Sequence, residues 1–441
     1  MNCGGLVRIR LLQGLALLLI AGGIVVLLQR PRHSPLPPPE ANPFRLLPDT
    51  GGSVREVACV VNSARRSQIR NAASITEIVN ALPAATSINL LTNDRDAFEL
   101  GHPDRVNFAD LRADGDFTIW PQDPVLVLAP RDNRERGRLR LLVPARFERA
   151  DDREIADAVA RLLAAEIVES ACLFEGGNIV SSESHIFIGE NTIHASAAYL
   201  GEPLSRVARR FESELGGPVL VVGGSPQPVG HLDMMLTPLG DGRLLVADSG
   251  AGADLVSRLL AEDPSSVTAF EETCMAEFFG HPAVESVQGD GGKTMRPPDL
   301  RGQTAKAVAH CRELAAALDE VAASLAAAGF EVHRIPFFAG TPPVELPSDP
   351  DQTGPPRRNP GPAYPTLTYN NLLLNQPADR RATVFLPRYG LDALDDAAVE
   401  TWAALGFEII RVDDLHISAM YGGSLRCCTK VLRRGKRSLS E

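Results

Sequence analysis

Twice in this chain a helical stretch runs through Gly-Phe-Glu into a strand. Thr304–Ala328 has helical periodicity and is followed by Gly329-Phe330-Glu331 and the apolar run Val332–Pro336. Asp395–Leu405 is followed in the same way by Gly406-Phe407-Glu408 and a run ending at Val412. A glycine at the end of a helix accepts the left-handed conformation that stops it. A helix delivered directly into a strand is the joint of an α/β unit, and its repetition predicts related modules. Further strands are expected at Val54–Val61, Ser87–Leu91, Val125–Leu128, Leu139–Val143, Ile186–Ile188, Val219–Val222, Leu244–Ala247, Thr366–Leu374 and Ala382–Leu386. Helices are expected at Ile69–Leu82, Asp151–Glu169 and Leu204–Leu215.

The N-terminus reads differently. Residues 1–10 are a short basic tail, and Leu11 to Leu28 is an uncharged, apolar run of 18 residues. As a helix it would span about 27 Å, which predicts a single transmembrane anchor and a membrane location. Arg8 and Arg10 on one side and Arg30 and Arg32 on the other leave the side of the body open. Residues 29–53 read as a Pro-rich spacer, 54–436 as the body and 437–441 as a tail, with a long loop inside the body at Glu345–Pro365. The net charge of −11 argues against a nucleic-acid partner, which would need a basic stripe. Seven cysteines without CxxC spacing indicate neither a disulfide framework nor a zinc ribbon.

Four segments combine reactive side chains with turn residues. In Thr118–Pro124, two prolines bracket Asp123 and keep it out of a helix. In Phe174–Asn178, paired glycines follow Glu175, which also suits an ordinary hairpin turn. In Gly230–Met235, His231 and Asp233 would share one face of a strand, the His moving protons and the Asp holding a cation. In Tyr421–Thr429, a Gly-Gly turn runs into Cys427 and Cys428 beside Arg426. A thiolate is favoured near positive charge, although buried terminal thiols would look the same.

In this order the segments resemble the guanidino-modifying pentein superfamily, and most closely the catalytic domain of protein-arginine deiminases. The resemblance rests on Trp120-Pro121-Gln122-Asp123, on Gly230-His231-Leu232-Asp233, on Gly423 followed by Cys427-Cys428-Thr429, and on Thr368–Asp414. It covers about residues 55–436. It implies an α/β fold, a β/α propeller of five pseudo-repeated ββαβ modules, and a deiminase catalytic domain. It further implies that Asp123 and Asp233 grip a guanidinium, that Cys427 attacks it, and that His231 transfers protons. Trp120 and Glu175 would lie with the substrate, and Arg146 or Arg149 would meet the carbonyls of a peptide.

The implied reaction converts arginine in peptides or proteins to citrulline and ammonia through a covalent thiouronium on Cys427. Alternatives are a deiminase or amidinotransferase for a small guanidine such as agmatine or free arginine, and a membrane-tethered, non-catalytic module that binds guanidinium or peptide. A thiol protease built on Cys427 and His231 would have no use for two carboxylates facing a neutral carbonyl. Cys-x-Thr selects Cys427 over Cys428, and strand alternation would turn the two apart. The chain departs from the family at Arg426, usually His. It also departs at Val125-Leu126 and Ile179-Val180, where the calcium-dependent animal members carry acids. No cofactor or metal is therefore expected, calcium included.

Overall fold

The computed structural model describes residues 42–62, 71–95, 103–112, 115, 117–131, 138–147, 149–224, 226–279, 287–288, 294–295, 300–340, 364–420 and 422–435. Five sheets of three or four strands share one wiring: an antiparallel pair, then one or more helices, then a strand parallel to the pair's second member. Leu126–Pro130 and Arg140–Val143 pair, and the helix Arg153–Leu163 leads to the parallel Glu166–Glu169. Ile179–Ser181 and Ile186–Gly189 pair, and the helices Glu190–Leu200 and Leu204–Leu215 lead to Val219–Val222. Leu236–Gly240 and Arg243–Asp248 are followed by Ser249–Glu262, Pro264–Phe279 and Thr304–Ala327 before Glu331–Phe338. Leu373–Asn375 and Thr383–Pro387 precede the helix Asp392–Ala404 and the strand Glu408–Val412. In the fifth sheet Lys430–Arg434 pairs antiparallel with Val54–Val61, and the helix Asn71–Ala81 leads on to Ser87–Thr92. That pairing puts the N- and C-terminal parts of the described chain in one sheet.

Both Gly-Phe-Glu joints are Schellman caps. Gly329 and Gly406 have φ of +94° and +89°. Phe330 and Phe407 donate their N–H groups back to Leu325 and Trp402, and the glycines donate to Ala326 and Ala403. The Phe407 ring then meets the buried Trp402 edge-on, with centroids 5.0 Å apart. A third joint has the same bonds without glycine: Ala164, at φ +47°, ends the helix Arg153–Leu163, and Glu166–Glu169 is a strand. The helix expected to continue to Glu169 thus stops six residues earlier, at Leu163. The strand expected at Thr366–Leu374 is also two short pieces, Leu367–Thr368 and Leu373–Asn375. The break frees Asn370 and Asn371 to make side-chain bonds.

Two corrections concern the N-terminus. Phe44–Leu46, placed by sequence in the spacer, is a strand antiparallel to Leu126–Pro130. No helix among the described residues is long and apolar enough to cross a membrane. The longest, Thr304–Ala327, has 24 residues, but Lys306, Arg312, Glu313, Asp319 and Glu320 line its outer side. The transmembrane helix, the membrane partner and the membrane location are therefore not supported. The run at 11–28 itself lies outside the described residues, as do the tails at 1–10 and 437–441, residues 29–41 of the spacer and residues 345–363 of the long loop.

Candidate active site

Turns, not strands, bring the reactive groups together. Asp123 ends a tight turn, its N–H donating to the Trp120 carbonyl at 3.2 Å. Its own carbonyl accepts from Gly176 N–H at 2.9 Å, and its Oδ1 accepts from Gly177 N–H at 3.0 Å. Gln122 Nε2 donates to the Gly176 carbonyl at 3.0 Å, so the first Asp turn and the Gly-Gly turn are sewn together. A Cβ on Gly177 would lie 2.5 Å from His231 Nδ1 and 3.0 Å from Asp123 Oδ1, so only glycine lets these groups approach. His231 is extended and leads into a 3-10 turn, Leu232–Met234, that carries Asp233. The same-face strand expected for His231 and Asp233 is thereby corrected. Leu232 N–H donates to Asn178 Oδ1 at 2.9 Å, which fixes this turn on the Gly-Gly turn.

His231 Nε2 lies 2.8 Å from Glu175 Oε2, and its Nδ1 lies 3.9 Å from Asp123 Oδ1. Cys427 Sγ is 4.0 Å from Asp233 Oδ2 and accepts from Asn371 Nδ2 at 3.1 Å. Asn371 Oδ1 accepts the N–H groups of both Arg426, at 2.8 Å, and Cys427, at 3.1 Å. One amide thus holds the turn that presents the thiol. Gly423 carries the Trp120 ring: a Cβ there would lie 2.7 Å from the indole and 3.1 Å from Cys427 Cβ. Cys427 and Cys428 sit in a turn before the strand Lys430–Arg434, so strand alternation does not separate them. Their surroundings do. Cys428 Sγ is buried 3.2 Å from Ser418 Oγ and belongs to the main hydrophobic core, of which Cys427 is not a member.

Burial dominates the electrostatics. It pushes the Asp123 carboxyl up to about 7, against the opposing pull of His231. Burial acts to lower His231, but Asp123, Cys427 and Glu175 outweigh it and raise the imidazole well above its ordinary value. The Cys427 thiol is pushed up to about 11 by burial and by Asp233, while His231 pulls it down. Asp233 is raised by burial and restrained by Arg426 and His231. The resting pocket therefore holds a protonated thiol among carboxylates, and an arriving cation would relieve it. Asp233 Oδ1, the oxygen not engaged by Arg426, is buried with no hydrogen-bond partner among the described residues. Asp123, Glu175 and His231 offer atoms within 4.8 Å of one another, which suits a metal ion as well as an organic cation.

Of the residues singled out in the sequence, Asp123, Glu175, His231, Asp233 and Cys427 meet in one place, with Trp120 beside them. Arg146 does not join them: it is exposed on the turn after Arg140–Val143, and no contact among the described residues ties it to the cluster. Asn371, which holds the Cys427 turn, and Asp49 and Lys430, which lie behind the cluster on Arg426 and Gln122, were missed. The Asn-Asn pair in a β-rich run was a visible signal for the first, whereas Asp49 lay in the Pro-rich stretch and gave none. The calcium ligands of the animal deiminases do not fit here, since Val125, Leu126, Ile179 and Val180 are buried apolar side chains. Gln122 Oε1 accepts from Lys430 Nζ at 3.3 Å.

The fold is shared with solved deiminase structures. An agmatine deiminase from Enterococcus faecalis matches 90% of this chain and 98% of its own, at TM-score 0.57 and 12% identity. The C. jejuni agmatine deiminase matches 89% and 97%, at TM-score 0.54 and 12% identity. A putative peptidyl-arginine deiminase matches 89% and 100%, at TM-score 0.54 and 14% identity. No protein-family model and no curated protein matches the sequence.

Proposed function

We propose that this chain hydrolyses a guanidinium group, releasing ammonia and leaving a ureido product, with Cys427 as nucleophile. The observation that carries this reading is the buried Asp233 carboxylate, its Oδ2 4.0 Å from Cys427 Sγ and its Oδ1 without a hydrogen-bond partner among the described residues, with Asp123, His231 and Glu175 alongside. Two carboxylates select a planar cation and aim its carbon at the sulfur. The cation's charge lowers the thiol, which gives its proton to solvent, to be regained when the product leaves, and the thiolate adds to the guanidinium carbon and gives a neutral tetrahedral adduct. His231, protonated, gives its proton to the departing nitrogen, and ammonia leaves a thiouronium on Cys427. Water then adds to that carbon as His231 takes its proton. The C–S bond breaks to return the thiolate, and the ureido product's extra proton passes through solvent to the ammonia.

A small guanidine such as agmatine or free arginine is the first substrate class. The agmatine deiminases that share the fold support it. Arginine in a peptide or protein is the second class, supported by the motif resemblance. The test incubates the full chain with agmatine, arginine and an arginine-containing peptide, and measures ammonia and ureido product. Ammonia from agmatine or arginine is expected; ammonia from the peptide alone would move the substrate class, and none from any would overturn the reading.

Calcium is expected to be irrelevant to the rate. A calcium site takes six to eight oxygens, several of them carboxylate. The four apolar side chains above supply none. Rates in excess EGTA and in millimolar calcium should agree within about twofold. A many-fold rise with calcium would show that ligands lie elsewhere.

A further inference from the structure

We propose that Arg426 is a positioning residue: its buried guanidinium is the fixed cation that engages Asp233 Oδ2, the oxygen 4.0 Å from Cys427 Sγ, and leaves the unpartnered Oδ1 for the substrate. This deepens the reading of the site as a guanidinium hydrolase and rests on it. Arg426 is 7% exposed and immediately precedes the proposed nucleophile. Its Nη1 donates to Asp233 Oδ2 at 2.8 Å, and its Nη2 donates to the Ile179 carbonyl at 2.9 Å. Nε and Nη2 reach the two oxygens of Asp49 at 3.1 and 3.3 Å, and Nη1 also lies 3.5 Å from the Gly176 carbonyl. The fork is thus shared between a carboxylate at the site and one behind it, with two backbone carbonyls filling the remaining donor directions.

Carboxylates and carbonyls converging on one point are the surroundings a hard divalent cation takes. In this chain the cation is a side chain, and it arrives with the nucleophile's own turn. Lys430, four residues on, supplies a second buried basic group at Gln122, its ammonium pushed down to about 7 by burial and by Arg426. The arrangement solves a specific problem. Asp233 is buried and must be ionised to hold a substrate cation, yet burial favours its neutral form. A permanent positive charge on one oxygen keeps the carboxylate charged and turns it. A substrate guanidinium could not do this before it had bound.

The groups facing Asp233 are Arg426, His231, Cys427 and, across Arg426, Asp49; Asp123 and Lys430 lie further round the pocket. Arg426 lowers Asp233 and Asp49 raises it. Arg426→Gln should therefore move the acidic limb of the kcat/KM profile to higher pH and raise KM by about 10- to 100-fold, with kcat changed less. Asp49→Asn, in a residue that does not touch the substrate site, should move the same limb to lower pH. A residue needed only for folding would lower amplitude and melting temperature without opposite shifts of the limb.

The experiment is the pH profile of kcat and KM for the full chain and both variants, on whichever guanidine the wild type turns over. Limbs that move in opposite directions are expected. Unmoved limbs, or limbs that move the same way, would overturn the role of Arg426. If Arg426→Gln does not fold, Asp49→Asn alone decides by the direction of its shift. A wild type inactive on every guanidine would instead overturn the proposed function.

Discussion

Cys427→Ala is expected to abolish turnover, by more than about 10⁴-fold, whereas Cys428→Ala should retain at least about half the rate. The two thiols are neighbours in one turn, and both are buried. Only Cys427 stands by Asp233, within reach of His231 and under the Trp120 ring. Cys428 contacts Ser418 and packs into the main core, so its truncation should cost about 1 kcal/mol of stability and little activity. Steady-state rates and thermal melts of both variants provide the check. Equal losses would mean that the turn, not one sulfur, is what matters. Loss in Cys428→Ala alone would reverse the assignment.

The sequence carried the modules best where the backbone needs a special residue. Gly329 and Gly406 marked two helix-to-strand joints because their positive φ excludes most other residues. The third joint was invisible, since Ala164 takes the same conformation without a glycine to announce it. Helices Glu190–Leu200 and Ser249–Glu262 were missed because small and polar residues blur their apolar stripe. The site residues were legible as types in order, yet the reasons offered for two pairs were wrong. His231 and Asp233 are joined by a 3-10 turn, and the two cysteines lie in a turn, where period-two alternation does not apply. Arg426 stood out as a charge beside the two thiols and as a departure from a family pattern. Its meaning depends on Asp49, 377 positions away in the chain, and no local pattern encodes that contact.

Asp233→Asn and Asp123→Asn should each lower kcat/KM on the order of 10³-fold, but only the first should also unfold easily. Both carboxylates face the point where a guanidinium would sit, so losing either charge removes a buried ionic contact to substrate. Their supports differ. Asp233 is also a partner of Arg426, whose side chain is buried to the same depth as the core. Removing that negative charge leaves a buried guanidinium with Asp49 and two carbonyls, a loss of about 2–4 kcal/mol after allowing for the retained partners. Asp123 holds no arginine. Its Oδ1 takes the Gly177 N–H, which an amide oxygen can also accept, and the ionised carboxylate is already disfavoured there by burial. Asp123→Asn should therefore melt within about 1 kcal/mol of wild type. Urea unfolding beside kcat/KM for both variants separates these expectations. Full activity in either variant would remove that carboxylate from the substrate site, and equal destabilisation of the two would mean that Asp233 does not depend on its bond to Arg426.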